Sequence, residues 1–179
     1  MIYVFLANGF EEIEALTAVD LLRRAELSVA TVGVGGKNIT GSHGIPVTAD
    51  IEEAQAETEG LKAVVLPGGM PGTLNLEASP IVRACVEYCV ETGGLVAAIC
   101  AAPSILGHMG LLKGRRAVCF PGFEQELAGA EMGTEPVCAQ EGLVTARGAG
   151  VAVEFALALI KKFCGNEKAE QIRMSIQCI

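Results

Sequence analysis

The sequence predicts an α/β fold, a doubly wound and mostly parallel sheet sandwiched between helices, of the flavodoxin-like and class I glutamine amidotransferase-like kind. Three observations predict it. Ile2 to Leu6, Lys62 to Leu66 and Leu95 to Ile99 are short apolar runs without polar alternation, the pattern of strands buried on both faces. Between such runs lie stretches with apolar residues at helical spacing, so strands and helices alternate as in βαβ units. Glycine and proline close the runs, and the 51% apolar content is dispersed among punctuated pieces. A chain of 179 residues buries roughly 70% of its unfolded surface in one core, and no Ser-rich or Pro-rich linker or internal repeat divides it. Residues 1–179 are therefore read as a single domain.

The elements follow in order. Ile2 to Leu6 is a strand, and Glu11 to Arg24 carries apolar residues at 15, 16, 19 and 22, a helix. Leu27 to Val34 is a second strand, stopped by Gly35 and Gly36, and Ile39 to Thr48 reads as a small irregular hairpin around Gly41, Gly44 and Pro46. Lys62 to Leu66 is a third core strand, ended by Pro67, Gly68 and Gly69; Met70 to Ser79 reads as a loop. Ser79 followed by Pro80 is a capping residue before a first-turn proline, and a helix runs from there to about Thr92. Leu95 to Ile99 is the fourth core strand. Arg116 to Phe120 and Leu143 to Ala146 are further strands, Val151 to Phe163 an apolar helix, and Glu167 to Ser175 a last short one.

Composition excludes several classes of function. The mean hydropathy of +0.44 is high, yet no apolar segment approaches the about 18 residues that cross a bilayer. A net charge of −8 without a basic cluster and 4% aromatic residues argue against sequence-specific nucleic-acid binding. Met1 to Phe10 lacks the basic start of a signal peptide and is interrupted by Glu11 and Glu12, so a cytoplasmic location is expected. The 7 cysteines are irregularly spaced within apolar patterns and are expected as reduced thiols. Cys85 and Cys89 lie one helical turn apart, but no further ligand stands at metal spacing, so no metal site is expected.

In an open α/β sheet, ligands bind beyond the carboxyl ends of the strands. That rule selects Ala7 to Phe10, Pro67 to Gly72 and Cys100 to Pro103. Cys100 then stands on a strand-to-helix elbow, where unpaired N–H groups and the helix dipole favour thiolate over thiol. The residue types leave two readings open: a nucleophile activated without an adjacent base, or a buried cysteine that merely ends a core strand. The Gly68 Gly69 pair is likewise either an ordinary turn or, placed opposite Cys100, a source of backbone N–H groups facing an oxyanion.

Asn8 Gly9 Phe10 Glu11 Glu12 Ile13 Glu14, then Leu66 Pro67 Gly68 Gly69, then Ala98 Ile99 Cys100 Ala101 Ala102 Pro103, closely resemble the ThiJ/PfpI superfamily, in the branch of the parkinsonism-associated deglycase and its bacterial relatives. Val19 to Ala25 and Arg147 to Gly150 extend the resemblance over essentially the whole chain. It implies that Cys100 is the nucleophile, that Glu14 contacts it as a protonated acid, and that the N–H groups of Gly69 and Ala101 form an anion hole. Helical spacing by itself does not choose Glu14 over Glu12. On a helix Glu14 shares a face with Thr17, Ala18 and Leu21, surroundings that keep a carboxyl protonated; a first-turn glutamate also serves as a solvated partner of the helix dipole.

Two positions depart from the family pattern. Relatives with glyoxalase chemistry carry a histidine where this chain has Phe120, and an arginine of some relatives is replaced by His43; with Gly68, these are further pocket candidates. His108 lies about 12 Å along a helix from Cys100 and reads as a surface or packing residue. No His-x-Glu follows Cys100, which counts against a glutamine amidotransferase triad, and Ala101 stands where PfpI-type peptidases have a histidine. Glu154, alone on an apolar helix, is expected to pair with Arg147.

The resemblance implies a cofactor-independent cysteine enzyme that detoxifies methylglyoxal or glyoxal, or repairs early glycation adducts of proteins or nucleotides. It also implies a homodimer with the first helix near the interface. The alternative is a redox-responsive protective protein, an oxidative-stress sensor or chaperone, acting through oxidation of Cys100.

Overall fold

A computed structural model describes residues 1–178. Its centre is a seven-stranded sheet in the order β10, β11, β7, β6, β1, β2, β5. These are β1 (Ile2–Ala7), β2 (Val29–Val34), β5 (Ile51–Glu52), β6 (Ala63–Leu66), β7 (Leu95–Ile99), β10 (Val137–Gln140) and β11 (Leu143–Ala146). All pairings are parallel except β10 with β11. Two short ribbons stand apart: β3 (Asn38–Thr40) with β4 (Pro46–Thr48), and β8 (Arg116–Ala117) with β9 (Glu131–Met132).

Alternation along the strands builds two cores. Ile2, Val4 and Leu6 of β1, with Leu95, Ala97 and Ile99 of β7, face the layer of α1 (Glu12–Arg24) and α5 (Ala152–Ser175). Tyr3 and Phe5, with Val96 and Ala98, face α2 (Gly72–Ala78), α3 (Pro80–Thr92) and α4 (Pro103–His108). Burying each large apolar side chain contributes about 1.5–3 kcal/mol relative to exposure, which is why these runs read so clearly as strands. The chain leaves β1 toward β2 on one side and returns to β6 on the other, so the loops after β1, β6 and β7 meet at the carboxyl edge of the sheet.

Five elements differ from the sequence reading. Met70 to Ser79 is mostly α2: Gly72 hides a helix start because a side chain there would come within 2.5 Å of Phe10 N, so only glycine fits. Arg116 to Phe120 pairs only through Arg116 and Ala117, since the Val118 N–H turns to Thr145 Oγ1 at 2.9 Å and the Phe120 N–H to the Cys100 carbonyl at 2.8 Å. β5 and β10 are edge strands, β5 too short to show a period and β10 only partly buried and ending in Gln140. The final two helices are continuous but for a break at Gly165, where φ is 82°.

The predicted cap and hairpin are present. Ser79 Oγ accepts the Val82 N–H at 3.3 Å, and Asn38–Thr40 and Pro46–Thr48 form the predicted hairpin. Among the described residues no helix is long and apolar enough to cross a membrane. Glu154 does not pair with Arg147: it lies exposed on α5, so no buried partner is needed.

Candidate active site

Cys100 follows β7 directly and has φ 65°, a left-handed conformation uncommon for a residue with a side chain. Such a backbone costs on the order of 1–3 kcal/mol and persists when its surroundings fix it. They do so here from two sides: the Cys100 N–H donates to Ala146 O at 2.9 Å, and its carbonyl accepts the Phe120 N–H at 2.8 Å. Cys100 is half-buried, and the N–H groups of Ala101 and Gly69 act on its sulfur to favour the thiolate.

Glu14 enters from α1. It is 1% exposed, and its Oε2 accepts the Gly68 N–H at 2.8 Å. Its other oxygen, Oε1, is buried without a hydrogen-bond partner among the described residues. A side chain on Gly68 would fall 2.6 Å from Cys100 Cβ and 2.8 Å from Glu14 Oε2, so only glycine lets helix, loop and elbow close on one another. Gly69, with φ 89°, is equally confined, a Cβ there meeting Glu11 N and Gly9 O at 2.5 Å. Cys100, Glu14, Gly68, Gly69 and Ala101 are therefore gathered at one place.

The electrostatics reverse one expectation. Burial pushes the Cys100 thiol up to about 12, and the charge of an ionised Glu14 adds to the rise; the Ala101 and Gly69 N–H groups pull the other way. The elbow alone does not yield a low thiol pKa, because desolvation outweighs two N–H donors. Burial likewise pushes Glu14 up to about 7, against the pull of the Gly68 N–H and with the charge of Glu11 adding to the rise. The thiol's hydrogen bond to the Glu14 carboxyl lowers Glu14 and raises Cys100, so a thiolate is favoured only when Glu14 holds its proton. A neutral acid beside a sulfur and two N–H donors can deliver and take back one proton while the sulfur bonds to an electrophile.

The remaining candidates divide. Phe120 stands at the site: a side chain on Gly148 would lie 3.2 Å from its Cδ2 and 4.0 Å from Cys100 Sγ. His43 does not join the sulfur. Its Nδ1 lies 2.9 Å from Glu12 Oε2 and its N–H donates to Glu12 Oε1 at 2.8 Å, tying the β3–β4 hairpin to the first turn of α1. Burial acts to raise Glu12, but these bonds hold it down to about 2, and Glu12 in turn raises His43. Glu12 is thus an ionised anchor and Glu14 the acid near neutrality, a distinction that helical spacing had left open.

Glu11, Glu12 and His43 bring ligand-type atoms within 4.8 Å of one another, a grouping of metal-ligating residue types that spacing in sequence does not reveal. Glu12 and His43 are bonded to each other, and Glu11 Oε2 accepts the Glu14 N–H at 2.8 Å. His108 is a bridging residue, its Nδ1 2.5 Å from Glu77 and its Nε2 2.8 Å from Glu126. A separate concavity of about 390 Å³ opens at the neighbouring strand ends, lined by Asn8, Gly35, Glu53 and Ser79. Its Glu53 carboxylate is taken by the Gly35 N–H at 2.9 Å and Ser79 Oγ at 2.6 Å, leaving no free acid for chemistry.

A strained cysteine on the elbow after a central parallel strand, with a buried acid and two N–H donors converging on it, defines an α/β protein of the elbow-cysteine type. The chain belongs to the DJ-1/PfpI family, whose model matches residues 1–162. It is 34% identical to the Drosophila melanogaster protein dj-1beta over 172 residues, covering 94% of this chain and 92% of that one. The structure of oxidized Toxoplasma gondii DJ-1 superimposes with a TM-score of 0.94 at 35% identity, over 98% of this chain and 97% of that one. The Caenorhabditis elegans glutathione-independent glyoxalase DJR-1.2 is 27% identical over 164 residues, 90% of this chain and 87% of its own length.

Proposed function

We propose that the protein is a cofactor-independent cysteine enzyme acting on 2-oxoaldehydes such as methylglyoxal, or on their early adducts with proteins or nucleotides. The observation that carries this reading is the convergence of a half-buried Cys100 sulfur, the buried Glu14 carboxyl and the N–H groups of Gly69 and Ala101. The likeness to a relative named as a glutathione-independent glyoxalase supports it.

In this reading the ionised Glu14 takes the Cys100 thiol proton as the sulfur bonds to the aldehyde carbon. The carbonyl π pair moves onto oxygen, which is held by the Gly69 and Ala101 N–H groups and takes the Glu14 proton, giving a hemithioacetal. The Glu14 carboxylate then removes the hydrogen of that carbon as a proton and returns it to the neighbouring keto carbon through an enediol, while the hydroxyl proton passes to the keto oxygen. The first carbon is thereby oxidised to a thioester and the second reduced to an alcohol, with no external redox partner. Water cleaves the thioester, releasing lactate from methylglyoxal and restoring the thiol.

Glu14 is the one acid described beside the sulfur, and its pKa near 7 suits both directions of transfer at neutral pH. The exposed Ile13 on α1 supports the expected pairing of two copies through that helix, and the reading keeps the protein in the cytoplasm. A specific observation favours the alternative of an oxidative-stress sensor or chaperone: the unpartnered Glu14 Oε1 is suited to bond an oxygen added to the sulfur.

Turnover separates the two. Wild-type protein and Cys100→Ser should be compared for methylglyoxal loss and lactate formation. Many equivalents of lactate per wild-type site, and none with Cys100→Ser, are expected of the enzyme. A single equivalent consumed per site would instead identify a protein that changes state once.

A further inference from the structure

We propose that Phe120 and Gly148 form an apolar specificity subsite beside Cys100, one that selects 2-oxoaldehydes whose keto carbon carries an apolar or aromatic substituent. The proposal rests on the reading of the site as a dicarbonyl-binding one and adds what that site prefers.

The argument begins with how Phe120 is held. Its N–H donates to the Cys100 carbonyl at 2.8 Å and its own carbonyl accepts the Phe123 N–H at 3.1 Å, so its backbone is fixed to the elbow that carries the sulfur. The ring is not a core residue: it remains 47% exposed, a large apolar surface left open where most aromatic rings are covered. A methyl group placed on Gly148 would stand 3.2 and 3.7 Å from two atoms of the ring and 4.0 Å from Cys100 Sγ. Ring and sulfur thus flank the same bare backbone, and glycine keeps the space between them free.

The polar groups of the site belong to other elements. Glu14 comes from α1, Gly69 from the loop after β6, and Ala101 from the elbow. A dicarbonyl bonded to Sγ through its aldehyde carbon places its oxygen on those donors. Its keto substituent is then left to the side bounded by the Phe120 ring and Gly148, neither of which offers a side-chain donor or acceptor. Hydrogen contributes no contact there, a methyl or phenyl group packs on the ring, and a polyhydroxylated chain loses water without a replacement partner.

The experiment measures kcat/KM for glyoxal, methylglyoxal and phenylglyoxal, with protection of Cys100 from iodoacetamide by each compound as a second readout. Wild type is expected to favour phenylglyoxal over glyoxal by about 10-fold or more, the scale on which an apolar pocket discriminates. Phe120→Ala should bring that ratio close to one mainly by raising KM for phenylglyoxal, and Phe120→Leu should retain part of the preference. An unchanged ratio in a folded Phe120→Ala protein overturns the subsite. If wild type turns over none of the three, yet phenylglyoxal protects Cys100 best and Phe120→Ala abolishes that advantage, the catalytic reading fails and the subsite stands. Equal protection by all three compounds overturns it.

Discussion

Glu14 on α1 accepts the backbone N–H of Gly68 at 2.8 Å, and this bond turns a first-turn glutamate inward to the cysteine elbow instead of out to solvent. The acid, the loop after β6 and the sulfur are thereby fixed in one arrangement, and the chemistry of Cys100 depends on the protonation of its neighbour.

Replacing that acid should separate thiol reactivity from turnover. An ionised Glu14 raises the Cys100 thiol, and a neutral amide does not, so Glu14→Gln is expected to accelerate alkylation of Cys100 by iodoacetamide at pH 8. The same variant cannot move a proton, and lactate formation should fall by about 10²-fold or more. Peptide mapping of alkylated Cys100 and a lactate assay on one preparation check both. Slower alkylation with unchanged turnover would return Glu14 to a structural role.

The Glu14 shift also makes folding stability depend on pH. Its ordinary value of 4.5 applies to the unfolded chain, and burial raises it to about 7 in the fold. Between those values the folded state holds a proton that the unfolded state has lost, so the contribution is complete below pH 4.5 and disappears as pH rises through 7. Its size is about 3 kcal/mol. Urea denaturation at pH 5 and pH 8 should show wild type losing that much more stability than Glu14→Gln; parallel curves would show that Glu14 ionises normally.

Glu12 carries a prediction of its own, because its buried carboxylate anchors the hairpin. It accepts the His43 N–H at 2.8 Å and the Ser42 hydroxyl at 3.2 Å and contacts the His43 ring at 2.9 Å. Glu12→Ala should destabilise the protein by about 1.5–3 kcal/mol, the scale of hydrogen bonds to a charged group. Hydrogen exchange should rise first at the backbone amides of His43 and Ile45. Protection unchanged at those amides would show that the hairpin is held by its own ladder.

Much of this was legible in the chain. The runs Ile2 to Leu6 and Leu95 to Ile99 announce buried strands because both faces of each are apolar, and the glycines and prolines after them mark where the loops begin. The elbow at Cys100 and the pair Gly68 Gly69 follow from that placement, and a local motif brings Glu14 into view. α2 was hidden because its first residue, Gly72, reads as a loop glycine while it serves a close approach to Phe10. β5 was hidden because two residues show no period, and β10 because Val137–Gln140, only partly buried and ending in Gln140, is not the unbroken apolar run that marks β11.

What the sequence by itself determined is the alternation of strands and helices, the elbow cysteine and the family, because those depend on patterns within a few residues. Only the tertiary structure decided which glutamate serves which purpose. Glu12 is ionised because a hairpin 31 positions away supplies its donors, and Glu14 is raised to about 7 because burial outweighs the N–H of a loop 54 positions away. The thiol follows the same rule: the elbow predicts a depressed pKa, and burial beside Glu14 raises it. Charge states are set by desolvation and by partners brought from distant parts of the chain, and neither is written in the spacing of neighbouring residues.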